Sequence, residues 1–310
     1  MKQYVLLFLK GLAMGAANVI PGVSGGTIAL ITGIYEELIN SVKSIDIQAF
    51  KMLLGFRFRA FWAYVNGNFL LAVFAGIGLS ILTLAKLFKF MLEHETYALW
   101  LMAFFFGLIL VSVFSVARTV HKWTASAIIA LVLGFIAALL IALVNPASEN
   151  DGLLYLFICG VIAMCSMILP GLSGSFVLII LGNYKLVMLD AVSDFRLNIL
   201  IPVGIGAVVG LLAFSRLLAW VFKHYRDVTI ALMTGFILGS LSIIWPWKQE
   251  EYLLDPSGEL ILKKGQPVIS GYDWFLPDLS DAHTLAAIAI MLLGAASLWG
   301  IERFAHKLST

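Results

Sequence analysis

Residues 8–35, FLKGLAMGAANVIPGVSGGTIALITGIY, recur without a gap at residues 157–184 as FICGVIAMCSMILPGLSGSFVLIILGNY. Nine of the 28 positions are identical: Phe8, Gly11, Pro21, Gly22, Ser24, Gly25, Ile31, Gly33 and Tyr35. Each copy is an apolar segment broken in its middle by a PG-x-SG loop. Proline lacks a backbone donor and clashes with the preceding turn, while glycine reaches backbone shapes that other residues avoid, so a helix entering either segment ends at the loop. The similarity continues downstream. The GIG at residues 76–78 meets the GIG at 204–206, Gly107 meets Gly235, and LVLGFIA around Gly134 resembles IMLLGAAS around Gly294. The chain reads as two copies of one unit, residues 1–148 and 149–310.

What solvent surrounds the two copies follows from composition. With 61% hydrophobic and 12% charged residues and a mean hydropathy of +1.00, the chain carries more apolar surface than a water-facing domain of 310 residues hides. It is expected to be an all-α polytopic membrane protein. Apolar runs predict full spans near 69–88, 97–117, 124–145, 198–222, 228–247 and 284–302, each close to the roughly 20 residues that cross hydrocarbon. The flanking pairs 4–20 with 24–40 and 152–169 with 174–190 are mostly too short to cross, and each pair meets at a PG-x-SG break. They read as re-entrant helical hairpins, 4–40 and 152–190. A hairpin returns to its own side while three spans cross, so the second unit starts on the opposite face and lies inverted to the first, a transporter signature. A signal peptide is not expected at the start of the chain, because Lys10 interrupts the apolar stretch and a similar segment recurs internally.

Charge supports this topology. An N-terminus placed inside puts Lys2, Lys10, Lys43, Lys51, Arg57, Arg59, Arg118, Lys122, Arg216, Lys223, Arg226, Arg303 and Lys307 at or near the cytoplasmic face, 13 of the 20 basic residues. Both termini are then cytoplasmic, and the loop 248–283 lies outside, with a turn signal at DPSG and short alternating runs that predict a hairpin. Residues 46–66 mix Arg57 and Arg59 with Phe and Trp and read as an interfacial helix on the inner leaflet. A net charge of +2, dispersed over span ends, gives no nucleic-acid footprint. Cys159 and Cys165 make no disulfide or metal framework, and the five histidines have no metal or nucleophile–base spacing. No cofactor is expected.

Non-helical backbone at membrane depth survives only where protein buries it or a wet cavity receives it. Ser24 or Ser173 is placed to cap the returning half-helix, aiming N–H groups and the positive dipole end into such a cavity. Two inverted half-helix starts facing each other make a midplane site for an anion, with phosphate the natural candidate. Kinks with small residues for close helix packing are the structural alternative, and the recurrence of the loop at matching positions favours the site. It is not a Walker loop, because no lysine follows the glycines.

The paired PGVSGGT and PGLSGS loops and the opening KGLAMGAANVIPGVSGGTIALITGIYEELI resemble the PopT family of bacterial polyprenyl-phosphate transporters over essentially the whole chain. That resemblance implies a lipid flippase rather than an enzyme. Its substrate would be undecaprenyl phosphate, the lipid carrier of cell-wall precursors, returned from the outer to the inner leaflet for reuse. Matching the family motif are Asn18, Pro21, Gly22, Ser24, Gly25, Gly26 and Thr27, and in the second loop Pro170, Gly171, Ser173, Gly174 and Ser175. The second copy departs at Met167, opposite Asn18, and at Phe176, opposite Thr27.

Such a substrate asks for a polar, positively biased route for its phosphate while the prenyl tail stays in membrane lipid. Lys10, within the apolar first half-helix, and Arg118 and Arg216, at span ends, are candidate phosphate ligands, with snorkelling to the interface the alternative for the two arginines. Glu36 and Glu37 follow Tyr35, whereas Lys185 follows Tyr184, so the duplicated sites carry opposite charges. These three either end their half-helices in headgroup water or act in charge pairing or in coupling to a proton or sodium ion. Two other functions use the same architecture. An undecaprenyl-diphosphate phosphatase carries an arginine in its PG-x-SRSG loop, where this chain has Gly25 and Gly174, and so lacks transition-state charge stabilisation at that place. A secondary transporter of a small soluble anion would need a closed vestibule rather than a side opening for a tail.

Overall fold

The computed structural model describes residues 2–20, 23–92, 94–144, 147–192, 194–252, 262–263, 266–267 and 269–309. It is mostly helical, and five described helices are long and apolar enough to cross a membrane. In chain order the helices are α1 (Lys2–Val19), α2 (Gly25–Ile31), α3 (Tyr35–Lys43), α4 (Ile47–Leu54), α5 (Phe58–Tyr64), α6 (Gly67–Leu92), α7 (Glu95–Ala117), α8 (Ala125–Ala142), α9 (Leu153–Ile168), α10 (Gly174–Ile180), a π-helical segment Lys185–Ala191, α11 (Leu197–Ser240) and α12 (Ala282–Ser309). Large apolar side chains stand exposed along these helices, among them Leu82, Leu140, Val208 and Leu292. Exposure of that extent suits lipid, not water. The chain is a multi-pass membrane protein.

Glycine sets how closely the long helices approach. A Cβ on Gly11 would strike the Val73 carbonyl, one on Gly76 the Phe8 carbonyl, and one on Gly15 would lie 2.6 Å from the Ile77 carbonyl. Contacts advance along α1 and α6 together, so the two helices run in the same direction. The chain between them therefore returns to the end it started from. The same holds for α9 against the first part of α11, through Gly160 on Val203, Gly206 on Phe157 and Gly210 on Val161. These contacts correct the register expected between the copies: Gly76 is the counterpart of Gly206, each facing the backbone of a matched phenylalanine, while Gly78 and Gly204 face open space. Further on, Gly107 meets Met291 and Gly294 meets Phe104, while Gly235 meets Leu131 and Gly134 meets Leu232. Thus α7 packs on α12 and α8 on the end of α11, so that the last long helix of each half sits against the other half.

Several expected elements differ in detail. The returning arm expected at 24–40 is two helices, because Gly33 takes a left-handed φ of 72° after α2 and the Thr32 hydroxyl bonds back to the Ile28 carbonyl at 2.7 Å. The arm expected at 174–190 breaks in the same place, at Gly182 with the same φ. The expected spans 198–222 and 228–247 are two helical stretches within α11, which turns between them at the single non-helical residue Tyr225 (φ −137°, ψ 45°) and ends at Ser240. The interfacial stretch 46–66 is two short helices joined at Phe56. Their apolar side chains Ile47, Phe50, Leu54 and Phe58 are exposed, as a helix pair lying in headgroups requires. Asp46 caps α4 through the Ala49 amide at 2.9 Å and also accepts from Tyr64. The Ala49 amide foremost holds the Asp46 carboxyl below the usual carboxylate range. In the loop after α11, strand Lys248–Tyr252 pairs antiparallel with Ile269–Trp274, and Leu262–Lys263 with Gln266–Pro267. The DPSG turn lies outside the described residues.

Polar contacts gather at one end of the bundle. There Tyr4 bonds Asn68, Asn66 bonds Glu37, Arg216 reaches the Ile45 carbonyl, and Arg226 and Asp227 bridge to Glu36, Thr119 and His121. The far end carries Trp100, Trp245, Trp247, Trp274 and the strand pair.

Candidate functional site at the paired loops

The last carbonyls of an α-helix have no partner within the helix. At the end of α9 those groups are met by side chains of the first hairpin, more than 130 residues earlier. Ser24 Oγ lies 3.4 Å from the Met167 carbonyl and 3.2 Å from that of Leu169. The Tyr35 hydroxyl donates to the Ile168 carbonyl at 3.1 Å, and Thr27 Oγ1 accepts from the Gly171 amide at 2.9 Å. Ser24, Thr27, Tyr35, Gly171 and Ser173 are all buried. The two loops therefore touch, and the hydroxyls of the first secure the backbone of the second.

The relationship is one-sided. Ser24 is also the N-cap of α2, accepting from the Gly26 amide at 3.1 Å, and Asn18 Oδ1 accepts from the Gly25 amide at 2.7 Å. The first amides of α2 are thus taken by the protein itself. At α10 the cap residue Ser173 makes no side-chain cap bond, and its hydroxyl pairs with Ser175 at 2.8 Å. Methionine in place of Asn18 removes from the second loop the side-chain acceptor for its half-helix start, and phenylalanine in place of Thr27 removes the hydroxyl that accepts from the opposite loop. Gly26 and Gly174 each allow a carbonyl to approach, Ile168 and Ala163 respectively. Pro170 is buried, and Pro21 and Gly22 lie outside the described residues.

Beside the contact is a cavity of about 100 Å³ lined by Asn18, Gly25 and Gly26, with walls from Tyr35 and Leu38 of α3, Phe74 and Ile77 of α6, Met164 and Met167 of α9 and Leu211 of α11. Because Oδ1 of Asn18 must face the Gly25 N–H, its Nδ2 is the other branch, and it has no partner among the described residues. The cavity is thus apolar along its walls, with the Asn18 amide, whose Nδ2 has no partner among the described residues, at its polar end.

The charged candidates stand elsewhere. Lys10 donates to the Thr32 carbonyl at 2.7 Å and so caps α2. Arg118 is the exposed C-cap of α7, and Arg216 donates to Leu212 and Ile45 carbonyls at 2.6 and 3.2 Å. Glu36 pairs with Arg226 at 3.3 Å, Glu37 accepts from Asn66 at 2.9 Å, and Lys185 opens the π-helical segment. None of these six lines the cavity. Tyr35 was visible in the sequence only as one of the nine repeated identities. Its bond to Ile168 leaves no local pattern.

Thr27→Val keeps shape and removes the acceptor, leaving the buried Gly171 amide unpaired. The expected loss of stability is about 1–3 kcal/mol, measured as thermal unfolding in detergent. A variant that melts with the parent would mean that the Gly171 amide does not depend on Thr27.

A sequence model described as undecaprenyl phosphate translocase-like matches residues 14–261. The chain is 41% identical to a polyprenyl-phosphate transporter of Vibrio cholerae over 306 residues, 98% of each chain. It is 32% identical to a polyprenyl-phosphate transporter of Staphylococcus aureus over 257 residues, 77% of this chain and 85% of the relative. No solved structure matches it. Most of the chain is covered by the model, and both loops fall within it, so this protein belongs to the undecaprenyl phosphate translocase-like family.

Proposed function

We propose that this protein carries a polyprenyl phosphate, undecaprenyl phosphate in the cell, from the outer to the inner leaflet of the bacterial plasma membrane, where the carrier is reused in cell-wall synthesis. The observation that carries this reading is the loop cavity: amide donors at one end suit a phosphate, and walls of Leu, Ile, Met and Phe suit the first units of a prenyl chain. The names of the relatives point to the same class of substrate.

The architecture we read is two inverted units, 1–148 and 149–310, each with a re-entrant hairpin at its start. Three features support it. α1 and α6 run in parallel, as do α9 and the start of α11, so the chain between each pair turns back. α1 begins at the polar end, by Tyr4 and Asn68, whereas α8 leaves that end at Thr124 and α9 begins after it at the other. The glycine contacts of one half repeat in the other. Basic residues at the polar end support a cytoplasmic side there. α12, parallel to α7, brings the C-terminus to the same side. Pairing of Glu36 with Arg226 and of Glu37 with Asn66 supports charge pairing for these acids over ion carriage.

The test is translocation of labelled undecaprenyl phosphate in liposomes holding the purified protein. Transfer above that of empty liposomes is expected, with no uptake of inorganic phosphate and no phosphate released from undecaprenyl diphosphate. Folded protein that gives no transfer would sink the reading. Phosphate release instead would turn it to a phosphatase, and phosphate uptake to a small-anion carrier.

A further inference from the structure

Helix α3 stands between two cavities. Tyr35, Leu38 and Val42 line the loop cavity, while Glu36, Asn40 and Lys43 line a second cleft of about 290 Å³ against α11; Ile39 belongs to both. From α11 the second cleft takes Phe222 and Lys223, and Arg226, one turn on, is held 3.3 Å from Glu36. Lys43 and Lys223 are exposed and have no partner among the described residues. Among the lining residues two cations, Lys43 and Lys223, less one carboxylate, Glu36, leave the cleft at +1, and Arg226 beside it is shared between Glu36 and Asp227, 3.9 Å away. A phosphomonoester carries about −1.5 to −2 at neutral pH, with three strong acceptor oxygens.

We infer that this cleft is a second headgroup site, taking a phosphomonoester dianion at the polar end of the molecule. Two lysines approach from separate helices over an apolar floor of Ile39, Ala219 and Phe222, where a phosphate would find donors on both sides. Glu36 holds Arg226 in place while the cleft is empty, and an arriving dianion displaces it. The carboxylate then competes with the phosphate, which keeps binding weak enough for release. The single helix between the cleft and the loop cavity makes the two sites neighbours along one route. For a lipid-borne phosphate the inference rests on the transport reading; the chemistry itself is shared by free phosphate.

Lysine acetylation read by mass spectrometry resolves the site in full-length protein held in phosphatidylcholine nanodiscs at low salt. Farnesyl phosphate is expected to slow modification of Lys43 and Lys223 on the order of tenfold, leaving Lys51 and Lys122 at their original rates, and farnesol is expected to protect none of them. Glu36→Gln is expected to lower the farnesyl phosphate needed for half protection several-fold. Inorganic phosphate protecting at equal concentration would assign the cleft to the free anion. Protection that needs about a hundredfold more would assign it to the lipid headgroup, a preference of roughly 2.7 kcal/mol. Equal modification of all four lysines, or protection by farnesol alone, overturns the inference. Failure here with translocation intact removes only the cleft; protection without translocation removes only the transport reading.

Discussion

Gly171→Ala is expected to unfold the protein at temperatures where the parent is intact. Gly171 takes a φ of 84°, in the left-handed region, and a Cβ there would lie 2.5 Å from the Phe236 carbonyl carbon and 2.6 Å from the Ile237 nitrogen. The conformation costs a non-glycine residue roughly 1–2 kcal/mol, and contact with main chain cannot be relieved by rotating a side chain. The second loop would have to move away from α11, breaking the Thr27 bond to the Gly171 amide. Together these effects come to about 3–5 kcal/mol, in the range reserved for named structural failures. Gly204→Ala is the control, since nothing lies within 4 Å of its added methyl, and its melting temperature should match the parent. Thermal unfolding followed by size-exclusion chromatography in detergent measures both. An alanine at 171 that melts with the parent would mean the loop is not seated against α11 in this way.

The distribution of what was legible follows from how far each signal reaches along the chain. PG-x-SG marks a break because proline and glycine act on their own neighbours, and helix ends at Val19 and Ile168 lie within a few residues of the expected places. Amphipathic character around Arg57 and the basic residues near one end are also local. Where the reading went astray, a partner far away decided. The GIG tripeptides align best as text, but Gly76 and Gly206 are equivalent because matched phenylalanines on α1 and α9 press against them. A serine capping its own helix and a serine bonding a loop 145 residues away look the same in sequence. The two spans of α11 were legible as two apolar runs, but nothing local, neither proline nor glycine, announced that Tyr225 alone would join them.

This one-sidedness bears on what the duplicated loops do. In an evenly shared site both half-helix starts would present free amides to the ligand. Here the amides of Gly25 and Gly26 are already bonded, and Ser24, Thr27 and Tyr35 hold the opposite loop. The two copies differ at Asn18 against Met167 and at Thr27 against Phe176, whereas Ser24 and Tyr35, which also reach the opposite loop, have the same residue types at Ser173 and Tyr184. The first loop's hydroxyls hold the second loop, and of the cavity's lining side chains Asn18 has, in Nδ2, a donor with no partner among the described residues.

Asn18→Asp isolates that donor. The carboxylate is nearly the same shape and keeps an oxygen for the Gly25 N–H, which at a helix start favours negative charge, so melting temperature should hold or rise. Where Nδ2 offered hydrogens, however, the cavity now presents an oxygen anion. At 4 Å and an effective dielectric of about 20, two unit charges repel by about 4 kcal/mol, so a phosphate at the cavity mouth should be carried at least about a hundredfold more slowly, since each 1.4 kcal/mol is tenfold. Translocation of undecaprenyl phosphate in liposomes near pH 9, where a carboxyl is charged, gives the largest contrast. Lowering the pH should restore part of the rate in the variant alone, because a protonated carboxyl regains one O–H donor. Asn18→Met, the residue of the second copy, is the companion variant: it leaves the Gly25 amide without its acceptor and is expected to lose about 1–3 kcal/mol of stability, separating the structural role of Oδ1 from the ligand role of Nδ2. An aspartate variant that transports within about twofold of the parent at high pH would show that the phosphate does not pass this side chain, and the polar end of the cavity would then be part of the scaffold alone.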